Sequence, residues 1–237
     1  MEAGQTEENC VIPLKEKAVE ILFKDRRDAG KRLAAALLSY KKPGLLVLGL
    51  PRGGTVVAYE VAKALETALD IVVVRKLGVP GQEELAMGAI AGGGVRVLNE
   101  HVVQALKIPP GVIEEAAEQE TIELERREKL YRGSRFRASA AGRTVILVDD
   151  GLATGATLNA AALALREQSP AQIIAAVPVA APDTLAEFRE NRNVDEVVCL
   201  FTPEPFVSVG MWYEQFEQTT HEEVRELLRR RTEPHET

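Results

Sequence analysis

Apolar residues Ala29, Leu33, Ala36, Leu37 and Tyr40 recur at helical spacing through residues 27–40, and Pro43-Gly44 stops the pattern before the unbroken apolar run LLVLGL. This stretch reads as a helix followed by a buried strand. Past Gly53-Gly54, Val57, Val61, Ala64, Leu65 and Ala68 fall in register for a second helix, and IVVV at 71–74 reads as a second short strand. The alternation returns as VILVDD (145–150), a helix from about 156 to 167, IIAAVPV (173–179), a helix from about 183 to 190, and EVVCL (196–200). Short apolar strands alternating with helices predict an α/β fold, a parallel sheet of about five strands flanked by helices on both faces. Ligands of such sheets bind beyond the carboxyl ends of the strands, so the loops after Leu50, Val74, Asp150 and Val179 should converge.

Three segments depart from this alternation. Residues 77–98, LGVPGQEELAMGAIAGGGVRVL, are glycine-rich and too long for an ordinary strand-to-helix turn, which predicts a flexible loop or a small hairpin. Residues 110–132 are rich in Glu and Arg, with Ile122, Leu124 and Leu130 among few apolar positions, and predict a long, largely exposed helix inserted beside the sheet. Residues 221–231, HEEVRELLRRR, place Val224, Leu227 and Leu228 on one stripe of a short amphipathic helix, with a polar tail after it. The chain is expected to form a single domain over 1–237, with residues 201–231 as a small C-terminal hood.

Composition narrows the function classes. The 237 residues are 46% hydrophobic and 27% charged, the balance of a soluble globular protein. A net charge of −7 does not favour duplex nucleic acid as a partner, though a local basic pocket for one small anion is compatible with it. Cys10 and Cys199 lie far apart and outside any metal-binding or disulfide pattern, and are expected to be reduced thiols. The polar, acidic N-terminus and the absence of an apolar run of ~20 residues predict a cytoplasmic protein, neither secreted nor membrane-inserted.

The candidate chemistry sits at the strand ends. Asp149 and Asp150 follow buried apolar residues, so the strand delivers two adjacent carboxylates to the sheet edge, where their proximity is costly unless a ligand or cation satisfies them. Carboxylates accept hydrogen bonds from vicinal hydroxyls. The string GLATGAT follows directly, and its small residues, two hydroxyls and helix start form a nest of backbone N–H groups suited to a phosphate monoester. A diol reader beside a phosphate cradle describes a ribose 5-phosphate site. The blander alternative is an acidic strand end followed by an ordinary capped turn, and the length of the string disfavours it. In GLPRGG at 49–54, Gly53 and Gly54 permit close approach of backbone N–H groups to an anion and Arg52 adds charge, although the turn gains that meaning only from its place on the same sheet edge. Its spacing does not fit the G-x-G-x-x-G of a dinucleotide fold.

The string VILVDDGLATGAT resembles the phosphoribosyl pyrophosphate signature of type I phosphoribosyltransferases, without gaps. FKDRRDAGKRLAAAL, GLPRGG, RKLGVPGQEELAMGAI, ELERREKLYR and TPEPFVSVGMWYEQF extend the resemblance to a bacterial subgroup of that family. The resemblance implies that Asp149 and Asp150 are the catalytic acids that bind the ribose 2- and 3-hydroxyls. It also implies that Ala153, Thr154, Gly155, Ala156 and Thr157 enclose the 5-phosphate, and that Arg52, Gly53 and Gly54 form the pyrophosphate loop. Arg75 and Lys76 resemble the basic pair that grips pyrophosphate in related enzymes, and the segment from Leu77 resembles the loop that closes over the site. Mg²⁺ is the implied cofactor, held mainly through substrate oxygens with Asp149 or Asp150 as possible ligands.

The same resemblance implies an enzyme that transfers phosphoribosyl from its pyrophosphate to a small acceptor, with a regulator that only senses the donor as the alternative. A homodimer is the expected assembly. Ala153 stands where the 6-oxopurine branch carries an acid, which counts against hypoxanthine and guanine and leaves adenine, orotate, uracil or a non-nucleobase acceptor. Phe206, Trp212 and Tyr213 are candidates for the hood over the acceptor, with simple packing the commoner role for such aromatics. The histidines His101, His221 and His235 show no partners at ligand or triad spacing and are expected on the surface.

Overall fold

The computed structural model describes residues 21–190 and 192–231. Cys10, His235 and the polar termini therefore lie outside the described residues. In chain order the elements are α1 (Arg26–Ala36), β1 (Leu46–Gly49), α2 (Gly53–Leu65), β2 (Ala68–Ile71), β3 (Val74–Val79), β4 (Gln82–Ala91), β5 (Val95–Leu98), α3 (Glu100–Ala105), α4 (Pro110–Arg132), β6 (Thr144–Val148), α5 (Ala156–Arg166), β7 (Gln172–Val179), α6 (Pro182–Arg189), β8 (Glu196–Phe201) and α7 (His221–Arg231). The expected parallel sheet is present with five strands in the order β2-β1-β6-β7-β8, all paired in parallel. Its central strands β1 and β6 are buried along their whole length, which is why they read as continuous apolar runs. One face packs against α1, α2, α4 and α7 through Leu33, Val57, Val61, Leu124 and Val224, and the other against α5 and α6 through Leu158, Leu165 and Leu185.

The second strand starts earlier than the apolar pattern suggests. Glu66 leaves α2 in a left-handed conformation, Thr67 N–H bonds back to Ala62 O, and the chain enters β2 at Ala68 rather than at Ile71. The apolar run then outlasts the strand, and Val74 begins a different sheet. Arg75 and Lys76 accordingly belong to β3, not to the end of a strand in the main sheet.

The glycine-rich segment is a folded antiparallel meander, β3-β4-β5, so the hairpin reading holds with one strand added. Three of its glycines sit at the reversals: Gly81 has φ +78° at the first, and Gly93 and Gly94 have φ +92° and +77° at the second. Leu77 and Val79 of β3 and Met87 and Ile90 of β4 are buried against the main core.

Helix α4 has the bounds its composition predicted. Pro110 occupies its first turn, and Gly133 follows its last with φ +62°. Its buried stripe is Ile113, Ala117, Leu124, Tyr131 and Arg132, whereas Ile122 is 70% exposed. A buried ion pair fixes its end to the sheet. The Arg132 guanidinium meets the Asp70 carboxylate and donates to Ile71 O at 2.6 Å, while Asp70 also accepts from the backbone N–H groups of Ile71 and Ala138, each at 2.8 Å. Asp70→Ala leaves the buried guanidinium with only Glu128, 3.9 Å from its Nε, and an expected loss of about 3–5 kcal/mol in denaturant unfolding checks this anchor. Helix α7 also matches its predicted bounds, with Val224, Leu227 and Leu228 buried and the helix packed on α2 and α4.

Candidate functional site

The sheet's carboxyl edge collects the residues singled out by their chemistry. Strand β6 ends at Val148 and delivers Asp149 and Asp150 to the mouth of the sheet, where the Asp150 N–H donates to Asp149 Oδ1 at 2.9 Å. The N-terminus of α2 abuts both carboxylates. A Cβ at Gly53 would stand 2.0 Å from Asp150 Oδ2, and one at Gly54 would stand 2.7 Å from Asp149 Oδ1. Only glycine lets the positive end of this helix come so close to the acids. The Pro51–Arg52 peptide preceding it is cis.

Burial dominates the electrostatics of the pair. It pushes the Asp149 carboxyl well above the usual carboxylate range, and the neighbouring Asp150 charge adds to the shift. Burial raises Asp150 as well, opposed by Arg26, whose Nε lies 2.7 Å from Asp150 Oδ2 with the two side chains only 12% and 17% exposed. Arg26 is itself held by Glu217 O at 2.8 Å and by the Phe216 ring, 3.8 Å from guanidinium carbon to ring centroid. Tyr213 donates its hydroxyl to Asp150 O at 2.6 Å, so the hood is tied to the acidic turn.

The phosphate-loop candidates follow without a break. Leu152 bridges to Ala180 at the end of β7, and Thr184 Oγ1 donates to Ala153 O at 2.7 Å. Gly155 has φ +70° at the N-cap of α5, and no side chain caps that helix. The first-turn N–H groups of such a helix have no intrahelical acceptor. Thr154, Gly155 and Ala156 face a depression shared with Thr184 and Phe188.

Beside them, over the ends of β1 and β2, lies a cavity of about 200 Å³ lined by Arg52, Arg126, Arg127, Tyr131, Thr157 and His221, together with apolar residues of the loops. Arg52 and Thr157 are thus brought together as the sequence suggests. Arg75 and Lys76 are not: Arg75 Nε pairs with Glu120 Oε2 on α4 at 2.5 Å, Lys76 is exposed, and neither lines this cavity. Their displacement follows from the early end of β2.

Several participants escaped the sequence reading. Arg26 reaches Asp150 across 124 positions, with no local signal beyond the basic run at the start of α1. His221 is not an isolated surface residue: its Nδ1 lies 3.1 Å from the Tyr131 hydroxyl, and the two rings pack with centroids 5.5 Å apart. His101 sits exposed on α3, as expected. Trp212 and Tyr213 are buried packing residues with Phe23, and Phe206 lies 6.2 Å from Trp212. Cys199 is a free thiol, and burial pushes its pKa up to about 11. Among the described residues no group of three or more His, Cys, Asp or Glu side chains is arranged to hold a metal, and no helix is long and apolar enough to cross a membrane.

A five-stranded parallel sheet flanked by helices is the fold of the type I phosphoribosyltransferases. The family profile of the phosphoribosyl transferase domain matches residues 19–202, and the chain belongs to that family. Proteins named "Putative phosphoribosyl transferase" in two Mycobacterium tuberculosis strains, CDC 1551 / Oshkosh and H37Rv, are 46% identical over 209 residues, 88% of this chain. The chain spans 47% of the length of those relatives. The crystal structure of TT1426 from Thermus thermophilus is similar along 89% of this chain and 99% of its own, at 40% identity and a TM-score of 0.82.

Proposed function

We propose that this chain binds 5-phosphoribosyl 1-pyrophosphate and transfers its phosphoribosyl group to a small acceptor with release of pyrophosphate. The observation that carries the reading is the close approach of two half-buried acids to the glycine N-terminus of α2, on the same strand-to-helix turn that leads into the uncapped N-terminus of α5. On this reading Asp149 and Asp150 accept from the ribose hydroxyls, Ala153–Thr157 hold the 5-phosphate, and Arg52, Gly53 and Gly54 receive the pyrophosphate. The C1–O bond to pyrophosphate breaks with its electron pair passing to the leaving oxygen. The acceptor's lone pair forms the new bond to C1, and its proton passes to solvent. The acids stabilise the positive charge that develops on the ribose ring, and the backbone and guanidinium donors stabilise the leaving group.

Two adjacent carboxylates whose burial favours protonation suit a divalent cation as well as a diol. When bound with the donor, Mg²⁺ would neutralise pyrophosphate charge, with Asp149 or Asp150 as its protein contacts and substrate oxygens as the rest. Arg26 occupies Asp150 in the free protein, so donor binding exchanges an arginine for hydroxyls at that carboxylate. The Ala153 methyl offers no acid to a 6-oxopurine, so adenine, orotate, uracil and non-nucleobase acceptors are the candidates. Pyrophosphate release measured with the donor, Mg²⁺ and a panel of nucleobases tests transfer directly. One responding acceptor outside the 6-oxopurines is expected, and silence across the panel with intact donor binding would favour a sensor over an enzyme.

A further inference from the structure

The cationic cavity beside the acids contains more arginine than the pyrophosphate loop provides. Arg126 and Arg127 line it from α4, and Arg52 lines it from the turn before α2. Tyr131 lines the same cavity as the three arginines. The carboxylate facing them on α4 is Glu123, which accepts from Arg126 at 2.7 and 3.0 Å and from Arg127 at 2.7 Å and is pulled down to about 2. The Arg52 guanidinium makes no hydrogen bond or ion pair with any described residue. Three cations against one acid, in a chain of net charge −7, form a local excess of positive charge that a polyanion would neutralise.

The arginines are also held in place from below. The buried Arg132–Asp70 pair fixes the last turn of α4 to β2, and the Tyr131–His221 contact fixes its side to α7. Arg127 and Tyr131 are four residues apart and therefore share the helix face turned to the cavity. Guanidinium groups match phosphate oxygens in a bidentate fork, and two of them with Arg52 suit a diphosphate better than a single phosphate.

Building on the donor-binding reading above, we propose that Arg126 and Arg127 of α4 grip the donor's diphosphate together with Arg52. In this arrangement α4 supplies the leaving-group cations that the sequence assigned to Arg75 and Lys76. The guanidiniums stabilise the charge that arrives with the C1–O electron pair, and Glu123 occupies them in the free protein.

Calorimetric titration of the full chain with inorganic pyrophosphate and with ribose 5-phosphate, both with Mg²⁺, separates this proposal from the donor-site reading. Arg126→Ala with Arg127→Ala is expected to weaken pyrophosphate about tenfold or more for each arginine while leaving ribose 5-phosphate affinity within about twofold. Glu123→Gln, which frees both guanidiniums, is expected to tighten pyrophosphate several-fold. Unchanged pyrophosphate affinity in the double variant, or no pyrophosphate binding by the wild type, would overturn the proposal. Arginine-dependent pyrophosphate binding without ribose 5-phosphate binding would support the diphosphate grip and overturn the donor-site reading instead.

Discussion

Asp149→Asn is expected to melt at a higher temperature than the wild type at pH 8 in the absence of ligand, and to bind the phosphoribosyl donor far more weakly. Both effects come from the same carboxylate. Burial and the neighbouring Asp150 raise the Asp149 pKa in the folded protein above its value in the unfolded chain. Stability tied to this group is therefore complete below the unfolded pKa of about 4 and is lost as pH rises through the raised folded value. Each unit of upward shift costs about 1.4 kcal/mol. For a chain of this size that is roughly 3–5 °C of melting temperature. Asparagine keeps an Oδ1 acceptor for the Asp150 N–H and carries no charge. The variant should therefore melt above the wild type at pH 8, and the gap should close as the pH approaches 4. The donor loses a charge-assisted hydrogen bond in exchange, about 1.5–3 kcal/mol or 10- to 100-fold in affinity. A variant that is less stable than wild type at pH 8, or that binds donor equally well, would show that Asp149 is an ordinary strand-end residue.

The cost carried by the free protein explains the company these acids keep. Arg26 offsets part of it at Asp150, and the N-terminus of α2 offsets more at both carboxylates. On the proposed reading the two acids must be held together before the ligand arrives, and the surrounding positive charge makes that state tolerable.

Much of this architecture could be read along the chain because its signals are local. The strand VILV before Asp149-Asp150, the bounds of α4 between Pro110 and Gly133, and the apolar stripe of α7 each depend on residues within a few positions of one another. The boundary between β2 and β3 was not legible in the same way. The run from Leu69 to Val74 is apolar apart from Asp70, and what ends α2 early is a single left-handed residue, Glu66. That shift carries Arg75 into β3 and onto Glu120. Arg26 and the His221–Tyr131 pair were hidden for a different reason: their partners lie 124 and 90 positions away, and only the folded chain brings them together. The arginines of α4 looked like the solvated face of an exposed helix, and the buried Arg132 one turn beyond them is what turns that face to the cavity.

The central claim is that the acidic turn and the loop after it bind the ribose 5-phosphate half of the donor. Thermal unfolding with and without 5-phosphoribosyl 1-pyrophosphate and Mg²⁺ tests it most directly. At about 100 times the dissociation constant, donor binding should stabilise the wild type by about 2.7 kcal/mol. That corresponds to roughly 5–10 °C for a chain of this size. Asp150→Asn combined with Thr154→Ala should abolish most of the shift, whereas an unchanged wild-type melt at saturating donor would contradict the account.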